Sequence, residues 1–205
     1  MSDPLNLEES FGDIDVYLFD QLLKGRLHSE MSVLDAGCGG GRNLIYFLKN
    51  GFNVFGIDAS TTAISQTRAL AASLAPRLPA DHFRVEALDK LKFHDETFDF
   101  IICNAVLHFA QNEDHWSRMV KELWRVLKKE GVLFARLASS VAIENQISSL
   151  GEGRYRLPDG SERYLVNPEM LLITTASLGG ELMDPIKSVV VHEMRTMTNW
   201  VLKKV

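Results

Sequence analysis

Residues 33–43 read VLDAGCGGGRN, with glycines at 37, 39 and 41 between a short apolar run and a helical pattern. Glycine takes backbone angles closed to other residues and lets a ligand come up against the main chain. On this reading, a side chain at Gly39 intrudes where ligand meets backbone. Asp35 stands two residues before Gly37, and Asp58 closes a second apolar run, NVFGID. The spacing is not GxGxxG: counted from Gly37, the third glycine of that pattern falls on Arg42. An arginine there hinders close helix–strand packing and crowds a pyrophosphate on the helix N-terminus. A carboxylate at 35 disfavours a phosphate and favours a cation, and one at 58 can accept both hydroxyls of a ribose. The residues ask for a ligand with a ribose, no pyrophosphate and positive charge near Asp35. Blander readings stand beside this one: a simple tight turn, Asp35 as an Asx-turn former, Asp58 as a solvated or helix-terminal charge.

The elements that position these residues follow from periodicity. The polar residues 1–12 are expected to be loose. DIDVYLFDQLLKG reads as a helix capped by Ser10 or Asp13 and stopped by Gly25. SVLDA and NVFGID read as strands flanking a helix that Gly51 ends. Ser60 caps a helix with Ile64, Thr67, Ala71 and Leu74 on one face, stopped before Pro76. HFRVEA is a strand, and FDFIIC is an apolar run suited to a strand buried on both faces. Asn112 caps a helix carrying Trp116, Met119, Val120, Leu123 and Leu127, closed by Lys128 and Lys129. VLFARLA is a fifth strand, and NPE at 167–169 starts a helix with Pro at its first position. IKSVVVHE and MTNWVLKK are the last two strands, too close in sequence for a crossover, so they pair antiparallel. The alternation predicts a doubly wound α/β fold. Its seven-stranded sheet is mostly parallel, with an antiparallel strand near the C-terminal end and helices on both faces.

Composition bounds the function classes. The 205 residues are 46% hydrophobic and 24% charged, ordinary globular usage that fits a single domain over 1–205. Asp and Glu outnumber Lys and Arg by 27 to 22, a net charge of −5, which argues against nucleic acid as a partner. The N-terminus has no signal-peptide pattern, and no run approaches a membrane span. Cys38 and Cys103 suit a reducing compartment, hence a cytoplasmic location. No His or Cys pair has metal-ligand spacing, so no metal is expected. No GxSxG elbow is present.

S-adenosylmethionine carries an amino group, a sulfonium, a ribose and an adenine, the inventory that the glycine loop and its acids ask for. VLDAGCGGG, FGIDAS, FDFIICNAVLHF and the paired final strands together resemble the class I S-adenosylmethionine-dependent methyltransferases. The resemblance covers roughly residues 30–139 and the last strands. It implies cofactor contacts at Asp35, Gly37, Cys38, Gly39, Gly41, Asp58 and Ala59. It also implies an adenine contact after the third strand. Ala87 stands where the family commonly has an acid, leaving the Leu88 amide and Asp89 to meet the ring, unless Asp89 is only a solvated loop acid. Asn104 and Ala105 would lie along the methionine moiety. His108 would position the acceptor nucleophile or take its proton; the other reading is a histidine packed on the sheet end. Cys38 and Cys103 would lie near each other at the carboxyl edge without a nucleophilic role. Residues 1–30 would form a helical cap over the same edge, with Tyr17 and Phe11 facing the ligand or else packed in the core.

The insertion at 140–166 holds RYRLPDGSERYLV, with a Pro158-Asp159-Gly160 turn. It is expected to be a hairpin over the carboxyl edge, a lid with Tyr155 or Tyr164 facing the acceptor. Arg154, Arg156 and Arg163 make it basic, for an anionic acceptor or for dimer contacts or solubility. CNAV stands where the family's amino-group methylating members carry an NPPY-type tetrapeptide. A small-molecule acceptor is therefore expected, in a monomer or homodimer. Three readings compete: methyl transfer, a non-catalytic S-adenosylmethionine or S-adenosylhomocysteine binder acting as sensor or partner subunit, and a nicotinamide oxidoreductase. Arg42 and Asp35 count against the third.

Overall fold

The computed structural model describes residues 6–205; residues 1–5 of the N-terminal segment lie outside the described residues. Helices α1 (Leu7–Phe11) and α2 (Val16–Leu23) lead into strand β1 (Ser32–Ala36). Then follow α3 (Ile45–Lys49), β2 (Asn53–Asp58), α4 (Thr61–Leu74), β3 (Phe83–Val85), β4 (Phe98–Asn104), α5 (Glu113–Val126) and β5 (Leu127–Ser139). The chain continues through β6 (Ser148–Gly151), β7 (Arg154–Arg156), β8 (Glu162–Tyr164), α6 (Pro168–Ser177), β9 (Gly180–Leu182), β10 (Lys187–Val191) and β11 (Arg195–Lys204).

The main sheet runs β10-β11-β5-β4-β1-β2-β3, with β9 also paired to β11. β1 through β5 pair parallel, and β11 lies antiparallel between β5 and β10. This is the mostly parallel, doubly wound sheet expected from the alternation. β9 makes an eighth strand where a helix stop was expected; three residues carry no alternation to read. The register sets Asp35 opposite Gly56 and Ile102, and Asn104 opposite Arg136. The carboxyl ends of β1, β2, β4 and β5 therefore meet at one edge.

Two apolar layers cover the sheet. One gathers Phe98, Trp116, Leu123 and Trp200 under α5 and α6. The other gathers Leu18, Phe47, Phe100 and Phe134 under α2, α3 and α4. Cys103 belongs to the first layer and Cys38 to the second, so the expected nearness of the two thiols is corrected: they lie in different layers of the core. Both are free and buried.

Caps at Ser60, Asn112 and Asn167 accept from Ala63, His115 and Met170 N–H groups at 3.3, 2.8 and 2.8 Å. Three differences from the sequence reading have local causes. α1 forms in the stretch expected to be loose, where Asn6 Oδ1 accepts from Glu9 N–H and Phe11 stacks on Tyr46 with centroids 4.8 Å apart. α2 is capped by Asp15, whose carboxylate accepts from Tyr17 N–H at 2.9 Å and meets Arg136 at 3.1 Å. That long-range ion pair selects Asp15 over Ser10 and Asp13. α5 ends at Val126 and runs straight into β5, so Lys128 and Lys129 are strand residues. Lys204 Nζ instead donates to the Trp124 and Leu127 carbonyls, placing a cation at the helix C-terminus.

Candidate functional site

β1 delivers its carboxyl end into the glycine loop. Gly37 and Cys38 N–H groups both donate to the Ile57 carbonyl, at 2.7 and 2.9 Å, tying the loop to β2. The loop takes left-handed angles at Gly37, Gly39 and Gly41, with φ of 86, 53 and 85°. Asp58, at the end of β2, braces it: Oδ2 accepts from Gly39 N–H at 3.0 Å and Oδ1 from Ser60 N–H at 2.8 Å. Each oxygen keeps a lone pair for a further donor.

A cavity of about 370 Å³ opens beside this loop. Gly37, Asp58 and Ala59 line one side, Leu88 and Asp89 another, and Ala105 and Phe109 a third. Ile57, Glu86, Ala87, Val106, His115 and Met119 complete it; of the lining, Ile57, Glu86, Val106, Phe109, His115 and Met119 are not site residues on the sequence reading. His115 had a readable signal: it follows the Asn112 cap in the first turn of α5. Its Nδ1 accepts from Gln111 N–H at 3.1 Å, which leaves Nε2 toward the Asp89 carboxylate at 3.7 Å.

Asp35 lies under the loop, 1% exposed, and neither carboxylate oxygen has a hydrogen-bond partner. Burial raises its pKa to about 7; Arg42 lowers it and Asp58 raises it by smaller amounts. Both atoms of the Asn104 side-chain amide are likewise buried and unpartnered. Buried polar groups are ordinarily satisfied, so these oxygens and amide atoms stand out, although both residues lie behind the cavity wall and not in it.

A second cavity, about 320 Å³, adjoins the first at Ala105 and Phe109. Ala105 is a non-glycine residue at φ 62°, a strained angle that persists only where its surroundings hold it. The second cavity is walled by His108, Arg136 and Arg195, and by Leu157, Ser161 and Arg163 from the β7–β8 hairpin.

Residues 34–135 match a family described as a methyltransferase domain. An uncharacterized methyltransferase of Schizosaccharomyces pombe is 30% identical over 140 residues, covering 68% of this chain and 86% of that one. The chain belongs to the class I S-adenosylmethionine-dependent methyltransferases. A malonyl-(acyl-carrier protein) O-methyltransferase of Pectobacterium atrosepticum is 31% identical over 137 residues, 66% of this chain. The chain spans about half, 48%, of that relative's length. A crystal structure of a methyltransferase from Methanosarcina mazei has the same fold, with a TM-score of 0.73 and 23% identity over 90% of this chain and 97% of that one.

The residues present fit the methyltransferase cofactor. The unpartnered Asp35 carboxylate suits the cationic end of S-adenosylmethionine, and the free lone pairs of Asp58 suit its ribose. Other expected contacts are placed differently. The Cys38 N–H is already bound to Ile57, and its thiol lies 3.8 Å from Thr67 Oγ1, away from the cavity wall. Burial pushes both thiols well above their ordinary range. At Gly41 an added Cβ would come 2.9 Å from Leu70, so this glycine serves loop–α4 packing. At Gly39 a Cβ would meet no protein atom within 4 Å and points into open space, while at Gly37 it would run into Val106 Cγ2.

Tyr17 does not reach either of the two adjoining cavities. It lines a small cleft with Asp184 and Phe134, and the Arg136 guanidinium sits 5.4 Å from its ring centroid. Phe11 is held by Tyr46 and by Phe19, at 4.8 Å each. Tyr164 is buried against Trp116, and Tyr155 packs with Leu157, Leu165 and Met197. The tyrosines of the hairpin therefore build its footing, while its tip faces the cavity. His108 is 6% exposed, and its Nδ1 accepts from Ala138 N–H at 3.2 Å. That bond leaves the ring proton on Nε2. Burial, then Arg163, Arg195 and Arg136, lower its pKa to about 4. The expectation of a general base at His108 is corrected to a neutral hydrogen-bond donor.

Proposed function

We propose that this chain transfers the methyl group of S-adenosylmethionine to a small-molecule acceptor held in the second cavity. The observation that carries this reading is the junction at Ala105 and Phe109, where a cofactor-sized cavity meets a separate one. S-adenosylmethionine, when bound, supplies an electrophilic methyl on a sulfonium, so alignment and exclusion of water are the protein's main tasks. Asp58 holds the ribose, Asp35 answers the positive charge, and Asn104 and Ala105 border the methionine end. Leu88 presents an apolar surface and an amide to the adenine. Asp89, steadied by His115 and by Arg118 at 3.6 Å, faces the same ring. Gly37 and Gly39 let the main chain approach. A non-catalytic binder would need the first cavity alone; the lined second cavity favours the enzyme.

In this reading the chain acts as one domain, the described part of the N-terminal segment, with α1 and α2, caps the edge, and 140–166 close the acceptor side. Among the described residues no helix is long and apolar enough to cross a membrane. The two free buried thiols suit the cytoplasm.

Asp58→Ala is expected to weaken S-adenosylmethionine binding by about 1.5–3 kcal/mol, the scale of hydrogen bonds to a charged group. Asp58→Asn, which keeps an acceptor for the loop, should lose less. Calorimetric titration reads both, and unchanged affinity in Asp58→Ala removes the ribose role. Replacing 157–161 by Gly-Ser of equal length should leave cofactor affinity within about threefold, below 1 kcal/mol. The same variant should lose S-adenosylhomocysteine release with acceptors that the wild type methylates; full turnover in it would end the lid role.

A further inference from the structure

We propose that the second cavity takes a small carboxylate with an apolar body, and that one of its carboxylate oxygens receives the methyl to give a methyl ester. The proposal rests on that cavity being the acceptor site.

Charge comes first. Three arginines, Arg136, Arg163 and Arg195, line the cavity in a chain of net charge −5. Arg136 meets Asp15 at 3.1 Å and is partly neutralised, yet its Nε is buried without a partner. Arg163 lies over Phe109, 4.9 Å from the ring centroid, and donates to its neighbour's carbonyl, Glu162 O, at 2.7 Å. Among the described residues neither Arg163 nor Arg195 has a carboxylate within ion-pair distance, although both act through space on Asp159. The one acid on the wall, Asp159, bonds Ser161 through Oδ1, at 2.9 Å to N–H and 2.6 Å to Oγ, and offsets one charge of the arginines through space, leaving the wall net positive. A planar guanidinium fork matches a carboxylate in two parallel hydrogen bonds. Leu157, Val191 and Met197 supply apolar wall for the rest of the molecule.

The second observation is that the cavity offers no base. Its titratable groups are the three arginines, His108 and Asp159. The first three are permanent cations. His108 has Nδ1 tied to Ala138 N–H; Asp159 keeps Oδ2 free, but its hydrogen bonds from Ser161, then Arg195 and Arg163, hold its carboxyl below the usual range and make it a weak base. An alcohol, a phenol or an ammonium acceptor must shed a proton, and no wall residue is basic enough to take it readily. A carboxylate already bears its lone pair at neutral pH. Its oxygen forms the new O–CH3 bond while the C–S bond breaks with its electron pair going to sulfur, and no proton moves. The acceptor changes from an anion to a neutral ester, so the arginines hold the substrate more tightly than the product.

The test uses the full chain with methyl-tritiated S-adenosylmethionine and a panel of benzoate, phenylacetate, octanoate and hexanoate. The matching primary amides, phenols, amines, thiols and phenyl phosphate form the control arm. Cofactor binding by calorimetry runs in parallel. Expected is label on carboxylates that mild alkali releases as volatile methanol. Turnover at saturating cofactor should stay flat from about pH 6 to 9, where a carboxylic acid is fully ionised. Arg195→Gln and Arg163→Gln should each raise the carboxylate KM about tenfold or more, with cofactor affinity within about twofold. Base-stable label on a phenol, amine, thiol or phosphate overturns the carboxylate while leaving methyl transfer intact. Carboxylate turnover equal in wild type and both variants overturns the arginine hold. Normal cofactor binding, with no label on any carboxylate and no calorimetric benzoate binding beside S-adenosylhomocysteine, overturns the proposal. Absent cofactor binding overturns the underlying methyltransferase reading instead.

Discussion

Asp35→Asn is expected to stabilise the free protein at pH 8 and to weaken its hold on S-adenosylmethionine about 30-fold, on the order of 2 kcal/mol. The two effects have one cause. Asp35 is buried with both oxygens unpartnered, and its pKa rises to about 7, first through burial. In the unfolded chain the same group titrates near 4. Between those values the native state binds more protons than the unfolded state, so stability falls as pH rises from about 4 to 7 and stays low above. Asn carries no charge to bury and escapes that loss, by about 4 kcal/mol at pH 8 and by almost nothing at pH 4. A cationic ligand reverses the preference, because it favours the ionised carboxylate. Cofactor affinity of the wild type should therefore climb from pH 5 to 7, with proton release on binding below pH 7. Denaturant melts at pH 4 and 8 read the first effect, and titration in buffers of different ionisation enthalpy reads the second. An affinity independent of pH in the wild type would remove Asp35 from the cofactor's charge.

The parts of the fold that could be read from the sequence are those fixed by local chemistry. Ser60, Asn112 and Asn167 cap helices where their hydroxyl and amide types predict. The parallel sheet follows from apolar runs alternating with helical spacing, and the antiparallel β11 from the short link before it. α1 escaped because it rests on a stack between Phe11 and Tyr46, distant in sequence. β9 escaped because three residues hold no period. The same division runs through the site. The first cavity is built by one loop and the strand ends beside it, so Asp58 could be named from its place at a strand end, and Leu88, Asp89 and Ala105 from the family resemblance. The second draws Arg136, Arg163 and Arg195 from β5, β8 and β11, and only the β5–β11 pairing together with the β7–β8 hairpin packed at its edge brings them together. Arg163 was visible as a basic hairpin residue; Arg136 and Arg195 carried no local signal. His108 could be named, but not its tautomer, which depends on the Ala138 amide.

Gly37→Ala tests how far the loop's shape decides cofactor binding, and it should reduce affinity about 100-fold, near 3 kcal/mol. Two costs add. An alanine at φ 86° leaves the region that L-residues favour, at about 1–2 kcal/mol. Its Cβ also runs into Val106 Cγ2, in a wall of the cofactor cavity. Overpacking of this kind costs about 1–3 kcal/mol when neighbours must shift. Gly39→Ala has no protein atom within 4 Å of the new carbon, so beside the backbone cost it reports only contact with the bound cofactor. The two costs at Gly37 separate in a double-mutant cycle with Val106→Ala. Removing both Val106 methyls leaves its Cβ 3.2 Å from the new atom, a contact the loop can absorb. The double variant should regain about half of the lost binding free energy in a calorimetric titration. No regain would mean that the backbone angle alone sets the loop, and that Gly37 and Gly39 are equivalent in it.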